Sequence, residues 1–342
     1  MYQTLRKIIK FTASFLIFYT GIGHVYLRYV YPRRKTFPVV IINYHRFVKD
    51  LNNVIDADPA YTHHIDDFKK ELGFLKKYFD IVSLDQAVET LKQRQCFVKP
   101  TVAITVDDGF ADNYELLFPV IRQENVPITI FLIDGFIGTN QKAWFDQLAS
   151  IIKNTNHTAL KVQTPVARTY SLNSLTEKRK AYLDLSTMMK DMSEKDRKDT
   201  LDHVKGHLDR QGDDRPVMLS WEQVKTMSEQ GVAFGSHTCT HPILTSVPVN
   251  DAKSEILQSK KSIEQKLGMA VKHFAFPNGR PRDFNDELRQ YCQEIGFKSI
   301  SSCEKGCNFR ALDVWSLKRI HVAPPLSVFS FGILRVLLSQ KY

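Results

Sequence analysis

Thr101-Val-Ala-Ile-Thr-Val106 runs directly into Asp107-Asp108-Gly109. Six residues rich in β-branched side chains, with no turn signal before the two acids, read as a buried parallel strand. From Pro38 onward the same kind of run recurs, alternating with helical patterns, which predicts βα units around a parallel sheet. Strands are expected at 38–44, 79–82, 101–106, 127–133, 232–235, 271–276, 297–301 and 316–322. Helices fit between them at 65–78, 84–94, 112–124, 221–230, 251–267 and 284–295. Ser83 with Gln86 and Ser220 with Gln223 have capping-box spacing, and Gly231, Gly268 and Gly296 stand where a helix ends in a residue of positive φ. A barrel is favoured over an open sheet, because so many units follow one another and no Gly-rich phosphate loop follows the first strand.

Residues 155–215 interrupt the alternation. A hairpin around Thr158 to Leu172 precedes two polar helices, 175–190 and 194–208, the first with Ser174 and Glu177 at capping-box spacing. This stretch reads as an insertion on the barrel rim within one catalytic domain, 37–342. A closing helix is expected from Leu326 to Leu338.

Hydrophobic content of 43% with 25% charged residues is that of a globular chain. The net charge of +10 would suggest a nucleic-acid partner were it spread over the fold. Seven of the cations (Arg6, Lys7, Lys10, Arg28, Arg33, Arg34, Lys35) instead fall in the first 35 residues, which hold no acid, leaving +3 for the remainder. No nucleic-acid role is therefore expected. Between Lys10 and Arg28 the stretch around Phe15-Leu-Ile-Phe-Tyr19 carries no charge, so residues 1–36 read as a membrane-seeking segment: a short span, an interfacial helix or a signal peptide. That places the protein at a membrane or in the cell envelope, with the side left open. An amphipathic helix packed on the protein's own core is the competing expectation. The five cysteines (Cys96, Cys239, Cys292, Cys303, Cys307) are odd in number and scattered, which argues against a disulfide framework.

Asp107 and Asp108 stand at the carboxyl end of a barrel strand, the end at which such folds carry their active sites. One carboxylate can bind a cation while its neighbour accepts a proton. After the strand ending at Gly235 come His237 and His241, spaced i and i+4. With a carboxylate they form a two-histidine, one-carboxylate set suited to zinc or another first-row divalent metal. Phe274-Ala-Phe-Pro-Asn-Gly279 ends a further strand in loop residues whose N–H groups could face an oxyanion.

These segments, together with Ile42-Asn-Tyr-His-Arg46 and Leu317-Lys-Arg-Ile-His321, resemble the polysaccharide deacetylase family, the NodB-homology or carbohydrate esterase family 4 proteins, from about Val39 to Val322. The resemblance is nearest to the poly-N-acetylglucosamine deacetylase-like branch. It implies a distorted (β/α)7 barrel and a zinc-type hydrolase acting on an N-acetylated glycan. It further implies Asp108, His237 and His241 as metal ligands, Asp107 as general base, and Pro277 and Asn278 at the oxyanion and substrate position. Two histidines compete as general acid: His321 follows the usual terminal motif, and His45 the permuted pattern, which is slightly favoured. The chain departs from the family where an Arg should orient the base, because Ala275 stands there; Arg280 or Arg282 could reach back, and Asp313 and Trp315 could replace the fourth motif's Asp and Trp. A sugar-binding pseudoenzyme and a non-sugar amide hydrolase on the same fold are the competing readings.

Overall fold

The computed structural model describes residues 2–339 except 57, 59, 60, 96, 164–166, 209–216 and 310, with side chains from Ile9 onward apart from Lys10 and Leu312. Cys96 and the end of the expected insertion, 209–215, lie outside the described residues.

The β-branched runs form a parallel sheet in the order Ser299–Ser301, His273–Ala275, Ala233–Ser236, Ile128–Leu132, Thr101–Val106, Val39–Tyr44 and Arg319–His321. Its two ends meet where Ser301 bridges Leu317, giving a nearly closed barrel. An eighth short strand, Asp80–Val82, pairs with the first half of Thr101–Val106, and Ile128–Leu132 takes over on the second half from Ile104 onward. The expected closing helix is Leu326–Leu338. Ser220 and Gln223 form a reciprocal capping box, whereas Ser83 only accepts from the Gln86 N–H. Ser174 accepts from the Glu177 N–H, but Glu177 turns instead to the N–H of Asn173 and the hydroxyl of Ser171.

Strand parity sorts the core into an outer and an inner layer. Val40, Ile42, Val102, Ile104, Ile130, Phe274 and Ile320 face outward beneath the helices in the main hydrophobic cluster. Val39, Ile41, Ala103, Phe131, Ala275 and Leu317 form a second cluster inside the barrel, joined by Leu84, Ala87, Val88 and Leu91 of helix Leu84–Lys92. Phe131 is the bulky member of this inner layer. Gly235 makes room for it: a Cβ there would lie 2.5 Å from the Phe131 ring and 2.8 Å from the His273 carbonyl oxygen. The floor of the site is thus set by one large side chain opposite two small ones, Gly235 and Ala275.

The hairpin Ala159–Val162 with Arg168–Ser171 and the helices Leu175–Met189 and Glu194–His207 share a hydrophobic cluster of their own with helix Trp144–Asn154. Arg280 and Arg282 both pair with Asp191, and Arg280 donates to the Lys190 carbonyl, which ties this layer to the loop after Ala275.

The N-terminal stretch divides. Leu27 and Tyr31 are buried in the main core cluster, and the His24 imidazole meets the Tyr78 hydroxyl. Helix Tyr2–Tyr19 ahead of them keeps much of its apolar surface exposed. No helix among the described residues is long and apolar enough to cross a membrane.

Candidate active site

Residues two apart on a strand point the same way, and four such pairs project into the carboxyl end of the barrel: Asn43 with His45, Thr105 with Asp107, Gly235 with His237, and Arg319 with His321. Register aligns them, since Asn43 lies opposite both Thr105 and His321. The strand from Thr101 stays hydrogen-bonded to its neighbour through its last step, where the Asp107 N–H donates to the Tyr44 carbonyl. The chain then turns at Asp108, whose φ of 75° swings its carboxylate away from that of Asp107. Thr238, His241 and Asn278 also have positive φ, so the loops that carry the site hold backbone conformations costly for non-glycine residues.

Asp108, His237 and His241 offer ligand atoms that all lie within 4.8 Å of one another. Oδ1 of Asp108 is 3.6 Å from His237 Nε2 and 3.7 Å from His241 Nε2. A tetrahedral ion bound at about 2.1 Å holds its ligand atoms about 3.4 Å apart, so these residues need little adjustment to take one. The His237 Nδ1–H donates to the Ala275 carbonyl at 2.7 Å, which leaves Nε2 as the free lone pair facing Asp108. Oδ1 of Asp108 is buried with no hydrogen-bond partner. Burial, then the charge of neighbouring Asp107, raises the Asp108 carboxyl well above the usual range, a cost that a bound cation removes. The donor set therefore fits a divalent metal.

Asp107 is held differently. Burial would raise its pKa, but Arg319, followed by His237 and His45, outweighs that and holds the carboxyl well below the usual range. Arg319 Nη1 donates to Oδ1 at 2.7 Å and Nη2 to Oδ2 at 2.9 Å, a two-point fork, while Asn43 Nδ2 donates to Oδ2 at 2.9 Å. The guanidinium lies over the Phe131 ring, 5.6 Å from its centroid, and also donates to Asn43 Oδ1. Phe131, Arg319 and Asp107 thus make a column from the barrel floor to the cavity.

Arg319 was not among the residues expected to orient the base. Arg280 and Arg282 do not reach Asp107; they pair with Asp191, and Arg280 also with Asp283. The clue lay in Leu317-Lys-Arg-Ile-His321, where Arg319 stands two residues before His321 and so on the same side of its strand.

Both candidate acids reach the site. His45 Nε2 is 3.8 Å from Asp107 Oδ2, and its ring stacks on that of His321 with centroids 5.5 Å apart. His321 Nε2 is 3.4 Å from Asn43 Nδ2. Burial lowers both imidazole pKa values, well below the ordinary value at His45 and to about 4 at His321; at each ring the Asp107 carboxylate opposes the shift and the Arg319 guanidinium adds to it. A π-helical turn at Asn113–Leu117 opens the following helix and lets Asn113 Nδ2 donate to the His45 carbonyl at 2.9 Å.

These groups line a cavity of about 410 Å³ walled by Tyr61, Asp146, Tyr182 and Lys190. Asn278 also lines it, with a buried Nδ2 that has no partner. Pro277 is buried and does not line the cavity. Asp313 and Trp315 are not cavity residues either: Asp313 accepts from the Phe309 N–H, and Trp315 packs against the inner cluster.

The parallel α/β barrel thus gathers at its carboxyl end a carboxylate–dihistidine cluster that could hold a metal ion and, beside it, a buried aspartate paired with an arginine. The chain belongs to the polysaccharide deacetylase family, whose family model matches residues 94–300. It is similar to YxkH of Bacillus subtilis (strain 168), a protein provisionally assigned as a polysaccharide deacetylase, at 22% identity over 231 residues. That match takes in 68% of this chain but 54% of the relative, so the chain spans about half the length of the curated relative it matches. Among solved structures the fold is similar to the Streptococcus pyogenes deacetylase PplD in complex with acetate (TM-score 0.58, 18% identity, 88% of this chain and 99% of that one). It is also similar to IcaB from Ammonifex degensii (TM-score 0.56, 17% identity, 86% of this chain and 99% of that one).

Proposed function

We propose that this chain is a divalent-metal-dependent hydrolase that removes N-acetyl groups from an N-acetylated sugar polymer. The observation that carries the reading is the contrast between the two adjacent acids: Asp107 is locked as a carboxylate by Arg319 and Asn43, while Asp108 faces two histidines with an unpartnered oxygen. One acid is ready to accept a proton and the other to hold a cation.

Asp108, His237 and His241 would hold the ion, zinc or another first-row divalent metal. Such an ion supplies a Lewis acid that lowers the pKa of a water and polarises a carbonyl oxygen. Asp107 takes the proton of the attacking water, and Arg319 keeps it unprotonated between turnovers. Asn278, at the cavity edge with an unpartnered amide, contacts substrate on the oxyanion side. His45, whose Nε2 lies 3.8 Å from Asp107 Oδ2 at the cavity, donates the proton to the departing amine; burial holds its imidazole pKa well below the ordinary value, and Asp107 opposes that shift only in part. The polar wall of Asp146, Tyr182 and Lys190 offers both donors and acceptors, as the hydroxyls of a sugar require.

Acetate release from N-acetylglucosamine oligomers, measured beside N-acetylated non-sugar amides, tests the reading. Release from the oligomers alone supports it. Release from the non-sugar amides alone would make the chain a different C–N hydrolase, and oligomer binding without release would make it a sugar-binding pseudoenzyme.

A further inference from the structure

Helix Tyr2–Tyr19 carries opposite faces with different fates. Ser14 is buried and Ile17 packs inward. A Cβ on Gly23 would meet Leu334 at 3.1 Å and Ile17 at 3.2 Å, so the segment after the helix lies close against the closing helix Leu326–Leu338. Leu27 and Tyr31 then enter the core, and His24 meets the Tyr78 hydroxyl. The segment is therefore fixed to the barrel.

The other face has no protein partner among the described residues. Ile9, Phe11, Phe15, Leu16 and Tyr19 point outward, from 48% exposed at Phe15 to 67% at Tyr19. At 100° per residue they occupy an arc of about 160° on one side of the helix. Ile22, Val25, Tyr29 and Val30 continue the exposed apolar series beyond the helix end. So many large apolar groups in sequence exceed the scattered exposure ordinary for a soluble surface.

Charge decides what covers them. In sequence the stretch that carries this face holds seven cations between Arg6 and Lys35, and the first acidic residue of the chain is Asp50. A second copy of the chain would bring like charges together. An apolar layer bounded by anionic groups answers both features, and the helix is not apolar enough to span it. We propose that helix Tyr2–Tyr19 and residues Ile22 to Val30 form an interfacial docking face for an anionic lipid bilayer, on which the barrel is held without crossing it. The inference stands independently of the reaction proposed above.

Flotation of the full chain with vesicles tests it, using phosphatidylcholine alone and an equimolar mixture with phosphatidylglycerol. The chain should float with the mixed vesicles, bind the neutral ones at least about tenfold less, and be released by high salt or alkaline carbonate. Phe15→Glu with Leu16→Glu alters only exposed positions and should lower flotation by at least about tenfold while leaving the thermal midpoint unchanged. Phe15→Ser alone should show a smaller loss in the same direction. No flotation on the mixed vesicles, or equal flotation of wild type and the double variant, would overturn the proposal. Resistance to carbonate would show a membrane span instead. A dimer lost in the double variant, with no vesicle binding, would assign the face to a second copy.

Discussion

Arg319 grips both oxygens of the Asp107 carboxylate, at 2.7 and 2.9 Å, from a strand separated from it by 212 residues of sequence. Both side chains are almost fully buried, so neither charge has water to fall back on. Removing the guanidinium strands a buried carboxylate: Arg319→Ala should destabilise the fold by about 3–5 kcal/mol. Arg319→Lys keeps the charge but loses the fork, and should fold while lowering kcat roughly 10- to 100-fold. Thermal unfolding beside acetate-release kinetics separates the two effects. Full activity in Arg319→Lys would mean that the fork does not position the base.

His45 and His321 stack face to face, and their substitution should divide them. His45→Ala should lower kcat roughly 10²- to 10⁴-fold with KM little changed and metal content intact, as expected when a proton donor is lost. His321→Ala should cost much less. The reverse order would assign proton donation to His321, and equal small losses would remove both from the role.

Glu71 lies beneath the strand that carries His45, buried, and its Oε2 accepts from the Tyr44 hydroxyl at 2.9 Å. Burial raises its carboxyl from 4.5 to about 8 despite that hydrogen bond. A carboxyl whose folded pKa is raised stabilises fully below its unfolded value, and that stability is lost as pH climbs through the folded one. Between 4.5 and about 8 the loss is about 1.4 kcal/mol per pH unit. Glu71→Gln keeps an acceptor for Tyr44 and cannot ionise. Its thermal midpoint should match wild type near pH 4 and exceed it increasingly toward pH 8. Parallel curves would show that Glu71 does not titrate in this window.

The eight strands and the six helices between them were legible because each β-branched run and each helix stop carries its own local signal. Gly231, Gly268 and Gly296 do adopt positive φ, and the closing helix begins and ends at the expected residues. Asp107 and Asp108 were legible as adjacent acids at a strand end and His237 and His241 by their i, i+4 spacing, although a loop with positive φ at Thr238 and His241, not a helical turn, brings the two imidazoles together. Arg319 was missed because its partner is remote and its own motif drew attention to His321 instead. The layering of Phe131 against Gly235 and Ala275, which leaves room for a guanidinium from another strand, depends on register around a closed sheet, and no local pattern encodes it. The N-terminal stretch read as one segment because its apolar residues are continuous; only packing shows that Leu27 and Tyr31 belong to the core while Phe11, Phe15 and Tyr19 do not.

On the proposed reading, Asp108, His237 and His241 hold a catalytic metal while Asp107 does chemistry without holding it. Elemental analysis of purified wild type, His237→Ala and Asp107→Asn, each assayed for acetate release from N-acetylglucosamine oligomers, tests this most directly. Wild type should carry about one divalent ion per chain and release acetate, losing both to a chelator and regaining both on metal addition. Asp107→Asn should retain the ion and lose release, and His237→Ala should lose both while remaining folded. Full metal occupancy in folded His237→Ala, or acetate release from metal-free wild type, would contradict the claim.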